Sequence, residues 1–202
     1  MFSERDYQRH NYRRPWGGSS SRQGMSIIAA LIIANAAVFI LQILTISGGR
    51  GIGIGGFLAL RGEELREGLQ IWRLGTYMFV HGGVWHILLN MYGLYIFGKP
   101  LEERIDSERF LSIYFLSGIL GGLLWLIFNW RSDIPVVGAS GAVFGIMMAA
   151  AMVDPNRQYM LIFFPVPIRL KTLVTVYAGI AIFSQLGGLQ GGVAHLAHLG
   201  GL

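Results

Sequence analysis

The chain is 202 residues long, 53% hydrophobic and only 13% charged, with a mean hydropathy of +0.51. Soluble domains carry roughly 25% charged residues, so this composition excludes a disordered chain and most water-soluble folds and points to a membrane protein. A net charge of +5 without a lysine-rich or aromatic-interleaved patch argues against a nucleic-acid partner, and zero cysteines exclude disulfides, thiolate metal sites and a cysteine nucleophile.

Residues 1–24 are polar, hold five arginines (Arg5, Arg9, Arg13, Arg14, Arg22) and show no apolar periodicity, which predicts a disordered basic tail. The apolar run that follows, about 25–46, is too long for a signal-peptide core and long enough to span a bilayer. The segment from Ser47 to Gly75 is glycine-rich at its start and then mixes apolar and charged residues from Phe57 to Arg73. It reads as an amphipathic interfacial element. Further spans are expected at about 76–98, 110–128, 138–153 and 168–187, and a sixth apolar segment occupies 192–202. Those last eleven residues rise only about 16 Å at 1.5 Å each, against a hydrocarbon core of about 30 Å, so the sixth span is expected to be a truncated part of a longer one. The expectation is an all-α polytopic membrane protein, with a 1–24 tail and a six-transmembrane-helix membrane domain over 25–202.

Placing the tail in the cytoplasm and alternating sides puts the 99–109 and 154–171 loops inside. The tail contributes five cations and each of these loops three, so eleven of the sixteen Lys and Arg lie inside, against Arg50, Arg61, Arg66, Arg73 and Arg131 outside. That asymmetry follows the positive-inside rule.

Polar side chains inside spans are costly and therefore functional suspects. His81, His86 and Asn90 in span 2, Ser140 in span 4, and His195 and His198 in the sixth segment are the ones able to carry chemistry. His86 and Asn90 stand four apart and His195 and His198 three apart, so each pair shares a helix face. The alternating topology brings the starts of spans 2, 4 and 6 to the outer surface, so these groups converge at one depth. Ser140 lies among Gly138, Ala139 and Gly141, neighbours too small to cover its hydroxyl. Span 4 is short, so its start is expected below the outer surface, beside a water-filled cavity lined by His81, His86, Asn90 and Ser140. A histidine of the sixth segment is placed to activate this serine, with His86 and Asn90 as donors to a developing oxyanion. No Asp or Glu lies in spans 2, 4 or 6, and Asp133 is the nearest outer carboxylate, so a dyad is expected in place of a triad. His81 lies about 140° around a helix from His86, a poor arrangement for chelation, and is expected behind the site. Each feature has a plainer reading. Gly141 and Gly145 also fit a helix-packing face, Trp72-Arg73 an interfacial anchor, and the histidines interhelical hydrogen bonds or a haem or metal site.

Three ordered elements shift the balance between these readings: His81-Gly-Gly-Val-Trp-His86-Ile-Leu-Leu-Asn90, Gly138-Ala-Ser140-Gly141 and Ala197-His198-Leu-Gly-Gly201. Together they resemble the rhomboid intramembrane serine proteases over about residues 25–202. Trp72-Arg73 and Glu102-Glu103-Arg104 are similar to that family's first-loop and post-span-2 signatures. The resemblance implies Ser140 as nucleophile and His198 as general base, with His86, Asn90 and the Ser140 amide forming the oxyanion site. Phe144 falls where the family often has an aromatic against the catalytic imidazole. His195 is a rival base, but the family's Ala-His-x-x-Gly pattern fits Ala197, His198 and Gly201. The implied activity is cleavage of transmembrane segments of other proteins near the outer face. The implied partners are those substrates and the lipid bilayer, with no metal or organic cofactor. The compactness of the chain favours a bacterial plasma membrane, with a mitochondrial membrane as the alternative location. A rhomboid-fold protein that binds membrane clients without cutting them is the alternative.

Overall fold

The computed structural model describes residues 25–46, 53–132, 134–161, 164–186 and 193–202. The expected 1–24 tail, the glycine-rich stretch before Gly53 and Asp133 lie outside these residues. Helix α1 (Ile27–Ile46) is followed by the short helices α2 (Ile54–Leu58), α3 (Gly62–Gly68) and α4 (Arg73–Thr76), then α5 (Val84–Glu102), α6 (Ser107–Asn129) and α7 (Ser140–Val153). A hairpin of β1 (Gln158–Leu161) and β2 (Phe164–Arg169) leads directly into α8 (Leu170–Leu186), and α9 (Val193–Gly201) follows.

Length and composition let α1 and α6 cross a membrane, while α7 and α8 are shorter apolar helices. Burial is inverted relative to a water-soluble domain. Trp85, Ile127 and Phe183 are more than 70% exposed on the outside, while Asn35 and His81 are fully buried. An apolar exterior around polar interior groups is what a hydrocarbon solvent selects, because every polar group must find its partner inside the protein. The helix α7 occupies the middle of the bundle and packs on α5, α6, α8 and α9. Its 14 residues amount to about 21 Å of helix.

Two departures from the sequence reading matter for the site. Span 2 does not run unbroken from residue 76. Arg73–Thr76 forms α4, Tyr77–Phe79 makes a single 3₁₀ turn, and the long helix begins only at Val84, after an extended Gly83 (φ 163°, ψ 173°). The paired Gly82 and Gly83 supply the break, since glycine adds no helix propensity to hold the turn together. His81 therefore precedes the helix, and its placement by helical angle does not apply. The 154–171 loop, in turn, is not irregular. Its strands pair antiparallel with Gln158 opposite Arg169 and Tyr159 opposite Ile168, and Tyr159 stacks edge-on against Phe97 at 5.3 Å. Prolines at 165 and 167 suit a two-stranded edge, where a missing N–H costs little.

At the end of the bundle remote from Ser140, helix termini are tied by ionic capping. Glu102 accepts from the Ser26 hydroxyl at 2.7 Å and from the Ile27 N–H at 2.7 Å, which closes the start of α1. Arg104 reaches Asp154 at 3.3 Å, joining the end of α5 to the end of α7. Glu102 and Arg104 of the Glu102-Glu103-Arg104 signature thus hold helix ends, with Glu102 some 16 residues along α5 from His86.

Close approach of α6, α7 and α9 rests on glycine. A Cβ on Gly121 would run into the Ala197 carbonyl, one on Gly141 would stand 2.9 Å from that same oxygen, and one on Gly201 would strike the Gly141 main chain. These obstacles are backbone and cannot rotate away. Gly121→Ala is expected to destabilise the protein by about 1–3 kcal/mol, the usual cost of overpacking. The check is denaturant unfolding in detergent micelles, where an unchanged midpoint would contradict the close packing.

Candidate active site

Ser140 opens α7, and the chain reaches it through a pinned loop. Leu60 and Val136 exchange both backbone hydrogen bonds, at 3.2 and 2.9 Å, and the Gly138 N–H donates to the Tyr77 carbonyl at 3.0 Å. Gly138 has φ +117°, a region that L side chains rarely adopt. The Tyr77 hydroxyl in turn donates to the Gly118 carbonyl of α6 at 2.6 Å. The loop behind Leu60 is organised by Arg73, which is 4% exposed. Its guanidinium donates to the Gly56 carbonyl at 2.8 Å, to the Ala59 carbonyl, and to the Gln70 side chain at 2.7 Å. Burial lowers the Arg73 pKa from the ordinary guanidinium value, with nearby Glu64 opposing that shift. Trp72 packs its ring on Phe57 at 5.7 Å. Trp72-Arg73 is therefore not a simple interfacial anchor: the arginine faces inward and fastens the loop that carries Leu60.

Ser140 Oγ and His198 Nε2 stand 2.7 Å apart across 58 residues of sequence. With the proton on Nδ1, Nε2 accepts from the serine hydroxyl, the geometry a general base needs. The His198 ring lies against Phe144, one turn along α7, at 4.7 Å between centroids and a 34° tilt. His195 meets His198 edge-on at 6.1 Å. The serine's hydrogen bond is made to His198.

On α5, His86 is fixed by its own approach loop. The Gly82 N–H donates to His86 Nδ1 at 3.1 Å. An Nδ1 that accepts leaves the neutral ring's proton on Nε2. That nitrogen lies over Gly138, where an added Cβ would stand only 2.6 Å from it. A donor therefore faces the backbone two residues before Ser140. The first N–H groups of α7, having no acceptor within the helix, add donors and the positive end of a helix dipole to the same place. Asn90 is buried and donates through Nδ2 to the His86 carbonyl at 2.8 Å. One of its two N–H donors is thus committed to the helix backbone, leaving the other for a ligand.

His81 differs from expectation. It is fully buried rather than lining an open cavity, its ring meets that of His86 edge-on at 5.1 Å, and its Nδ1 lies 3.3 Å from the Phe79 carbonyl. Among the described residues no group of three potential ligands is arranged to hold a metal ion. The sequence reading missed Tyr77, for which nothing local gives a signal. It also missed Gln42 of α1, which pairs with the His81 backbone at 2.7 and 3.2 Å. A glutamine inside an apolar span was the signal for Gln42.

Residues 68–202 match a family profile described as the Rhomboid domain. The chain is 35% identical over 144 residues to "RHOMBOID-like protein 6, mitochondrial" of Arabidopsis thaliana, a match covering 71% of this chain and 44% of that protein. It is 34% identical over 135 residues to "Rhomboid protease GluP" of Bacillus subtilis, covering 64% of this chain and 26% of that protein. It is 34% identical over 87 residues to "Inactive RHOMBOID-like protein 8" of Arabidopsis thaliana, covering 43% and 24%. The chain spans less than half the length of each of these relatives.

The position of Gly138 generates a direct test. Gly138→Ala would combine a strained φ with a clash on the His86 ring, and the expected loss is about 1–3 kcal/mol of stability. Thermal unfolding in detergent measures it, and a variant as stable as the parent would mean that the imidazole does not occupy this place.

Proposed function

The chain belongs to the rhomboid family, and on that footing we propose that it is an intramembrane serine endopeptidase with Ser140 as nucleophile and His198 as general base. The observation that carries the reading is the 2.7 Å contact between Ser140 Oγ and His198 Nε2. Attack of Oγ on a substrate carbonyl carbon forms the C–O bond as His198 Nε2 takes the hydroxyl proton. The carbonyl oxygen becomes an oxyanion, met by the Ser140 N–H, His86 Nε2–H and the remaining Asn90 N–H. Collapse breaks the C–N bond, and the imidazolium returns its proton to the leaving amine. Water, deprotonated by His198, then attacks the acyl-enzyme, and the Ser140 hydroxyl is restored as the carboxyl product leaves.

The site's elements support the remaining assignments. Phe144 packs flat enough on His198 to hold the imidazole without a carboxylate partner. The proposed substrates are transmembrane segments of other proteins. A helical substrate exposes no free carbonyl, so cleavage requires local unwinding, which small or helix-breaking residues near the cut make easier. The protein is an integral membrane protein. We place its tail, residues 1–24, in the cytoplasm of a bacterial cell and the 25–202 membrane domain in the plasma membrane, with Ser140 near the outer face.

A relative named inactive shares 34% identity with this chain, so catalysis is the point to test. Ser140→Ala is expected to abolish both fluorophosphonate labelling and cleavage of a reconstituted transmembrane substrate, with little change in stability, since the hydroxyl makes no other hydrogen bond among the described residues. Labelling that persists in the alanine variant would exclude the mechanism, and absence of labelling in the parent would favour a non-cutting client binder. His198→Ala is expected to lose both readouts, whereas His195→Ala retains measurable amounts of each, because only the base must touch the hydroxyl. The opposite ranking would assign the base to His195.

A further inference from the structure

Between α4 and α5 the chain runs through residues 80–83 without regular structure, at the end of the bundle where Ser140 sits. The Val80 N–H returns to the Tyr77 carbonyl and the Gly83 carbonyl accepts from the Ile87 N–H, but the N–H and carbonyl of His81 have no such helical partner, and lipid supplies no hydrogen bonds. One residue from a different helix solves the problem. Gln42, near the end of α1, donates through Nε2 to the His81 carbonyl at 2.7 Å and accepts through Oε1 from the His81 N–H at 3.2 Å. The carboxamide thus takes both main-chain groups of a single residue. Its own position is set by Gly55 of α2, where a Cβ would stand 2.8 Å from Gln42 Cγ.

The consequence lies on the far side of the same peptide unit. The His81 carbonyl and the Gly82 N–H belong to one planar trans peptide, so holding the oxygen fixes the direction of the hydrogen. That Gly82 N–H is the donor to His86 Nδ1 at 3.1 Å. Gly82 and Gly83 leave the chain otherwise free to rotate here. The chain of constraint therefore runs from the Gln42 amide through a rigid peptide plane to Nδ1 of His86. It ends at Nε2–H, the proton aimed at the space over Gly138.

We infer that Gln42 is a positioning residue that sets the tautomer and orientation of His86, so that α1 controls the oxyanion site without touching it. This rests on the proposed proteolytic reading of Ser140. Replacing Gln42 with an apolar side chain of similar length frees the peptide plane. The imidazole then samples the other tautomer, with Nε2 unprotonated and repelling an oxyanion. A misplacement of about 1 Å in such a site costs on the order of 10² in rate, so a fall in kcat of roughly 10- to 100-fold with little change in KM is expected.

The test combines a cycle and a spectrum on the full chain reconstituted in liposomes. Gln42→Met, His86→Ala and the double variant are compared for cleavage of a transmembrane substrate. If Gln42 acts through His86, its 10- to 100-fold effect vanishes in the His86→Ala background. An equal loss in both backgrounds would overturn the inference, since a purely structural role is blind to whether His86 is present. Gln42→Glu is the second variant, because a protonated carboxyl can both accept from the His81 N–H and donate to its carbonyl. Its activity should approach the parent's at low pH and fall as the introduced carboxyl ionises, relative to the parent, which shares the titration of His81 and His86. A flat ratio across pH would count against the clamp. Solid-state ¹⁵N spectra of histidine-labelled protein read the tautomer without any turnover. The parent should show His86 protonated on Nε2 alone, and Gln42→Met should show a mixture. Unchanged His86 signals in Gln42→Met would overturn the inference even in an active enzyme. A parent lacking Ser140-dependent cleavage but showing the tautomer shift would instead locate the failure in the proteolytic reading.

Discussion

A 2.7 Å contact between side chains 58 residues apart demands that α7 and α9 lie almost backbone to backbone, and the rest of the bundle is arranged to permit it. Side chains larger than hydrogen at Gly121, Gly141 or Gly201 would collide with main-chain atoms of the facing helix. In lipid no hydrophobic effect pushes helices together, so dispersion contacts at such short range carry much of the association. The same glycines that bind the three helices also set the distance from serine to histidine. Stability and geometry of the site are therefore not independent properties here.

The second constraint is the supply of hydrogen bonds to irregular backbone. The segments before α5 and before α7 both abandon regular structure near Ser140, and each is satisfied from elsewhere in the chain. Arg73 serves the Gly56 and Ala59 carbonyls, Leu60 serves Val136, Tyr77 serves Gly138, and Gln42 serves His81. Three of these links carry position directly toward the site, because Val136, Gly138 and His81 lie within five residues of Ser140 or His86, while Arg73 fastens the loop that leads into Leu60. The long loop between α1 and α5 is thus a scaffold for the serine-bearing loop, held by a buried cation whose charge is spread over backbone oxygens.

The opposite end of the bundle is built on a different principle. There Glu102 caps α1, Arg104 pairs with Asp154, and a short hairpin closes the connection between α7 and α8. These charged groups fix helix ends away from Ser140. Partly exposed pairs of this kind contribute little individually. Their effect is to set where α5 and α7 stop, which leaves the polar interior at the Ser140 end.

Sequence alone determined much of this, because lipid imposes rules that composition and spacing reveal. Runs of apolar residues mark the helices, and the scarcity of polar residues within them singles out His81, His86, Asn90, Ser140, His195 and His198. The family resemblance separated His198 from His195, which helical spacing could not. Long-range packing, by contrast, fixed everything that depends on where an irregular segment goes. His81 leaves the helix because two glycines end it, so its angle relative to His86 was not legible from spacing. Arg73 turns inward because carbonyls of a loop converge on it, although the same residue next to tryptophan suits a membrane surface equally well. The hairpin at 158–169 arises from cross-chain pairing that no local period announces. Gln42 stands out as a polar residue inside an apolar span, but its pairing with the His81 backbone 39 residues away exists only once the fold brings the two segments together.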